Sequence, residues 1–339
     1  MVGVGRIAGH LLAGLGMAVA PASVATVQQH FDRLRALASG LALAGSGAGQ
    51  FVLAQLIGAT MPDGSSSGVG GSESWRDAAQ ALCVTGAVLL LPSSLLLQAR
   101  RLPKGPDAPT AGGNAMALAR QPALACVFGA TGLGSFGMYV PFIFLGPFLE
   151  ESVALSSSET SWIVSAMGLC NIAGRVALGA AADRLGRRKI LKVSLITMVA
   201  STITYPFCRS SLSVWLLVVL PIGLFSGSFI AMPPALIAEY VLPRQPDALP
   251  TMIGCNWLAL SVGAVFGPPL AGLLLADGDR QGWHLLLGCA TVSLALALLL
   301  LCCAPETAEP EPKQGAQTTR EEHAAKLRRL EAEDPLNGP

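Results

Sequence analysis

The last apolar run of the chain, WHLLLGCATVSLALALLLLCCA from Trp283 to Ala304, contains no Asp, Glu, Lys or Arg. A helix needs about 20 apolar residues to cross a hydrocarbon layer about 30 Å thick. Such a segment has few ways to fold. In lipid, only a helix or a closed barrel satisfies every backbone N–H and C=O. The run is not isolated. Comparable segments recur at Val2–Gln28, Ala36–Thr60, Asp77–Gln98, Pro122–Leu149, Ser161–Ala182, Ile190–Phe207, Ser213–Val241 and Leu249–Ala276, which makes nine candidate spans. Only 13% of the 339 residues are charged, about half the share in a soluble domain. The expected fold is an all-α, multi-pass membrane bundle. The net charge of +1 leaves no basic footprint for nucleic acid.

The loops orient the bundle. Arg33, Arg35, Arg100, Arg101, Lys104, Arg120, Arg184, Arg187, Arg188, Lys189, Lys192 and Arg244 fall on one side of the nine-span arrangement, and Arg76, Arg209 and Arg280 on the other. The tail adds Lys313, Arg320, Lys326, Arg328 and Arg329 to the richer side. Positive loops stay in the cytosol, so the N-terminus is expected outside and the C-terminus inside. The Pro-, Gly- and Arg-rich stretch Ala99–Gln121 reads as a cytoplasmic linker. It implies a partial N-terminal bundle of three helices at 1–98, a linker at 99–121, a six-helix bundle at 122–304 and a disordered cytoplasmic tail at 305–339. Met61–Ser74 reads as a flexible external loop.

Within Ser161–Ala182, a helical projection aligns Ser161, Val164, Gly168, Asn171, Arg175, Gly179 and Ala182 on one stripe. Arg175 lies seven residues from the cytoplasmic end of that segment, about 10 Å deep at about 1.5 Å per residue. An arginine inside the membrane costs at least about 2.5–3.5 kcal/mol against lipid and faces a polar partner or cavity. Two readings fit: an anion-binding charge in a central cavity, or an arginine tied to a carbonyl or acidic partner for packing. The eight cysteines form no CxxC pair and the four histidines do not cluster, so neither a metal site nor a disulfide framework is read. Cys302 and Cys303, at the end of the last span, are candidates for palmitoylation. No catalytic constellation or cofactor motif is visible, and an enzyme is not expected.

The segment continues as GAAADRLGRR, with Gly179, Asp183, Arg184, Gly186, Arg187 and Arg188 in the pattern G-x-x-x-D-R-x-G-R-R. This resembles the cytoplasmic loop signature of the major facilitator superfamily. The resemblance implies that the Asp caps a neighbouring helix and that the basic residues pair across the halves, so that the loop acts as a conformational latch. Gly14–Leu56 resembles the fourth and fifth helices of the monocarboxylate transporter family (solute carrier family 16). The features are Phe31, Arg33 and Arg35, then Leu37, Ala38 and Gly40, then Ala44, Gly45, Ser46 and Gly49. Trp75–Arg76 and GPPLAG at Gly267–Gly272 also fit.

The resemblance places Arg175 at the family's substrate-carboxylate arginine and Phe229 at an aromatic cavity position. Arg35 and Glu239 are candidate gating residues. The proton-coupled lactate carriers have an Asp four residues before that arginine, where this chain has Asn171. An amide does not take up and release a proton near neutral pH, so coupling through this position is in question. The first three family helices, with the substrate-binding lysine of the first, have no counterpart. The expected function is a secondary carrier of small organic anions, monocarboxylates, with or without a proton. It would work by alternating access in the plasma membrane, and some family members need a single-span glycoprotein chaperone. The competing reading is a truncated, non-transporting isoform or fragment that acts as a binding or assembly partner.

Overall fold

The computed structural model describes residues 20–31, 34–60, 116–207, 212–275 and 280–305. The expected span Asp77–Gln98, most of Val2–Gln28, the loop Met61–Ser74, Trp75 and Arg76, most of the linker and the tail beyond Pro305 lie outside these residues.

A helical segment at 20–30 (α1) is followed by α2, Arg35–Thr60. The remaining long helices are α3 (Pro122–Glu151), α4 (Ser157–Leu185), α5 (Arg187–Thr204), α6 (Leu212–Val241), α7 (Leu249–Leu274) and α8 (Arg280–Cys303). No strand occurs among the described residues. Among the described residues, five helices are long and apolar enough to cross a membrane: α3, α4, α6, α7 and α8. The 18-residue α5 opens on Arg187, Arg188 and Lys189 and is not one of them.

Local chemistry sets the helix ends. α4 begins four residues earlier than hydropathy suggested, because Ser156 and Glu159 form a capping box. The Ser156 hydroxyl accepts from the Glu159 N–H at 3.3 Å, and the Glu159 carboxylate accepts from the Ser156 N–H at 3.0 Å. Gly186, at φ 103°, ends α4 and lets α5 start at Arg187, three residues before the expected Ile190. α3 runs unbroken through Pro141 and Pro147, and α6 through Pro221, Pro233 and Pro234. Surrounding helices and lipid make such prolines tolerable in a membrane.

Packing divides the helices into two neighbourhoods. α4 lies between α2 and α6, while α3 packs on α7 and α8, and α5 packs on α6 and α8. The α4 seams are set by glycine. A Cβ at Gly40 would run into the backbone carbonyl of Arg175, and one at Gly227 would run into the carbonyl of Asn171. The polarity is inverted relative to a soluble protein. Asn171, Arg175, Ser226 and Asn256 are buried, while Leu217, Leu258 and Leu273 each expose 70% or more of their surface. An apolar exterior matches a hydrocarbon surround. One end is closed by an aromatic cluster in which Phe148 meets Trp215 at 5.7 Å and Trp283 at 5.2 Å, edge to face.

Candidate functional site

α4 presents Asn171 and Arg175 one turn apart into the bundle, 2% and 3% exposed. Across one seam, Arg175 Nη1 donates to the backbone carbonyl of Leu43 on α2. Across the other, Asn171 Nδ2 donates to Ser226 Oγ on α6 at 3.0 Å, and Ser226 Oγ donates on to the Gly223 carbonyl at 2.9 Å. This chain of bonds fixes the amide and leaves the arginine only partly satisfied. Arg175 Nε is buried and has no hydrogen-bond partner among the described residues. Tyr139 of α3 lies within electrostatic reach of the guanidinium. One nitrogen of Arg175 is thus tied to a carbonyl, and the group has no acid partner among the described residues. A buried cation with spare donors is suited to an anion.

Phe229 is buried on α6, with its ring against Gly134 of α3. The structure brings Arg175 and Asn171 together and sets Phe229 toward the α3 side. Ser226 was not singled out from the sequence. Its only signal was the Ser226-Gly227-Ser228 triplet inside an apolar helix. Gln28 of α1 was also missed. Its amide donates to Ser39 Oγ and to the Arg35 carbonyl, entirely buried.

The charged turn forms a second cluster at one end of α4. The Asp183 carboxylate accepts from the backbone N–H groups of Ala36 at 3.1 Å and Leu37 at 3.0 Å, the open donors at the start of α2. Arg187 donates to the same carboxylate from Nε at 3.1 Å and Nη2 at 2.9 Å. Its Nη1 reaches Glu239 of α6 at 3.0 Å. Arg188 donates to the carbonyls of Leu301, Ala304 and Pro305 at the end of α8. Gly179 rests on α2, where an added Cβ would lie 3.0 Å from the Ala36 carbonyl oxygen. Arg184 is exposed, and Arg35 donates from Nε to the Phe31 carbonyl at 2.7 Å. The loop thus touches α2, α6 and α8 at once.

The residues 127–335 match the family model described as Major Facilitator Superfamily. The chain belongs to the major facilitator superfamily. It is a multi-pass membrane protein of that transporter type. It is 29% identical over 307 residues to an MFS-type transporter of Gibberella moniliformis (strain M3125 / FGSC 7600), covering 85% of this chain and 67% of that one. It is 25% identical over 323 residues to monocarboxylate transporter 12 of Xenopus laevis, covering 85% and 66%. Among solved structures, the transporter FucP in its outward conformation superposes with a TM-score of 0.61 at 13% identity, over 84% of this chain and 72% of that one. The chain spans about two thirds of the length of these two curated relatives.

Proposed function

We propose that this superfamily member is a secondary carrier of small organic anions, most directly monocarboxylates, working by alternating access. The observation that carries the reading is Arg175. A guanidinium buried in a membrane bundle, with Nε unpaired among the described residues and no carboxylate beside it, is costly until an anion arrives. A substrate carboxylate supplies that anion and accepts two parallel N–H bonds from the guanidinium fork. Asn171, held by Ser226, offers a neutral hydrogen-bonding group beside it. With an amide at that position, transport does not draw on a proton carried there. Similarity to monocarboxylate transporter 12 supports the substrate class.

In this reading the Asp183–Arg188 loop is the latch. It holds α2 and α6 to α4 in one conformation through the α2 cap and the Glu239 pair, and it releases them in the other. The basic face containing Arg184, Arg188, Lys189 and Lys192 is cytosolic, and the membrane is the plasma membrane. The division at the linker 99–121, with three helices before it and six after, makes α2 and α4 partners across the two halves.

The test is uptake of labelled monocarboxylates into proteoliposomes holding the purified chain. Saturable flux is expected for the wild type. Arg175→Ala is expected to abolish it, and Arg175→Lys to weaken it severely because a point charge does not reproduce the fork. Unchanged saturation kinetics in Arg175→Ala would overturn the assignment.

A further inference from the structure

One face of α8 is left uncovered by the described helices. Leu285, Gly288, Val292, Leu296, Leu299 and Cys303 recur at spacings of three and four, and all are exposed. The first four of these line an apolar groove of about 930 Å³ between α3, α7 and α8. Phe128 and Phe136 of α3 and Phe266 of α7 form its other walls. The stripe leads out of the groove, along Leu299, to a thiol at the last residue of the helix.

Cys302 and Cys303 are both free and exposed, yet they are not equivalent. At about 100° per residue, Cys303 falls on the stripe and Cys302 is turned about 100° away from it. Arg188 fixes this end of the helix by donating to the Leu301, Ala304 and Pro305 carbonyls. It also brings the basic α4–α5 turn beside the thiols, where positive charge favours anionic headgroups and the phosphates of coenzyme A.

We propose that Cys303 is S-acylated and that its long acyl chain runs back along α8 into the groove. The Cys303 thiolate attacks the thioester carbonyl of a long-chain acyl-coenzyme A. A new carbon–sulfur bond forms to Cys303 and the bond to the coenzyme sulfur breaks. Coenzyme A leaves and takes up the proton that Cys303 released, so no oxidant or reductant is needed. The lengths agree. A chain that spans half of a core about 30 Å thick reaches about 15 Å. From Cys303, Leu296 lies about 10 Å and Val292 about 16 Å back along the helix axis. The acyl chain therefore fills the near part of the groove. The inference goes beyond transport, and it rests only on this end of α8 facing the cytosol, where acyl-coenzyme A is found.

The test uses the full chain expressed in a eukaryotic host fed a palmitate analogue that carries an alkyne and a diazirine. Hydroxylamine-sensitive label is expected on the wild type and on Cys302→Ser, and a fall to background on Cys303→Ser. Irradiation is expected to crosslink the probe to peptides of α3 or α7. Leu296 lines the part of the groove within the chain's reach and is 45% exposed. Leu296→Trp is therefore expected to keep the thioester label and lose that crosslink. No label on the wild type, label that survives in Cys303→Ser, or crosslinks to lipid alone would each overturn the proposal.

Discussion

Asp183 gives the sharpest quantitative test. Its side chain is 2% exposed and accepts two backbone N–H groups of α2 together with two donors of Arg187. Asp183→Ala leaves the start of α2 without its cap and leaves Arg187, 11% exposed, without its nearest anion. Breaking a buried pair by removing one partner costs about 3–5 kcal/mol. Arg187→Ala is milder. Asp183 keeps both backbone bonds, and the lost charged hydrogen bonds are worth roughly 1.5–3 kcal/mol. Glu239→Ala is milder still, because Glu239 is 52% exposed and solvent-screened pairs contribute at most about 1 kcal/mol. The assay is reversible unfolding in mixed micelles by denaturing detergent, with helix content as the signal. The expected order of loss is Asp183→Ala, then Arg187→Ala, then Glu239→Ala. A cost below about 1 kcal/mol for Asp183→Ala, or equal costs for all three, would refute the argument that the carboxylate binds α2 to α4.

The α4 seam predicts that Gly40→Val costs about 1–3 kcal/mol in the same unfolding assay through overpacking. Gly45→Val is the control, since an added Cβ there meets nothing within 4 Å; equal effects would show that the seam is not the cause. Asn171→Asp places a carboxyl one turn from Arg175. Uptake by this variant is expected to rise as external pH falls, because protonation frees the guanidinium for substrate, while the wild type lacks this dependence. A flat profile in the variant would sever position 171 from substrate binding.

Hydropathy alone located α3, α6, α7 and α8 closely: the expected Val241 end of α6 and Leu249 start of α7 are those observed. It misplaced both ends of α4 because those ends are set by polar chemistry outside the apolar run. The Ser156–Glu159 box was readable as a motif but fell before the hydrophobic stretch. Helical spacing put Asn171 and Arg175 on one face of one helix, which is a local property. Ser226 and Leu43 entered only through contacts between helices far apart in sequence, and Gln28 through a contact with the following helix; no periodicity reports those. Phe229 shows the same limit: its helix was legible, but the neighbour its ring would meet was not.

The seams on either side of α4 have a mechanical consequence. Where Gly40 of α2 meets α4 and Gly179 of α4 meets α2, and where Gly174 of α4 meets α6 and Gly223 and Gly227 of α6 meet α4, backbone runs against backbone with few side chains between. Such contacts have no interlocking knobs, so one helix can glide along another without many rotamers changing. This is the geometry of shear rather than of hinge bending. In the carrier proposed above, α4 is then the rail of the bundle, and the buried Arg175 would exchange its carbonyl for substrate as its neighbours slide past.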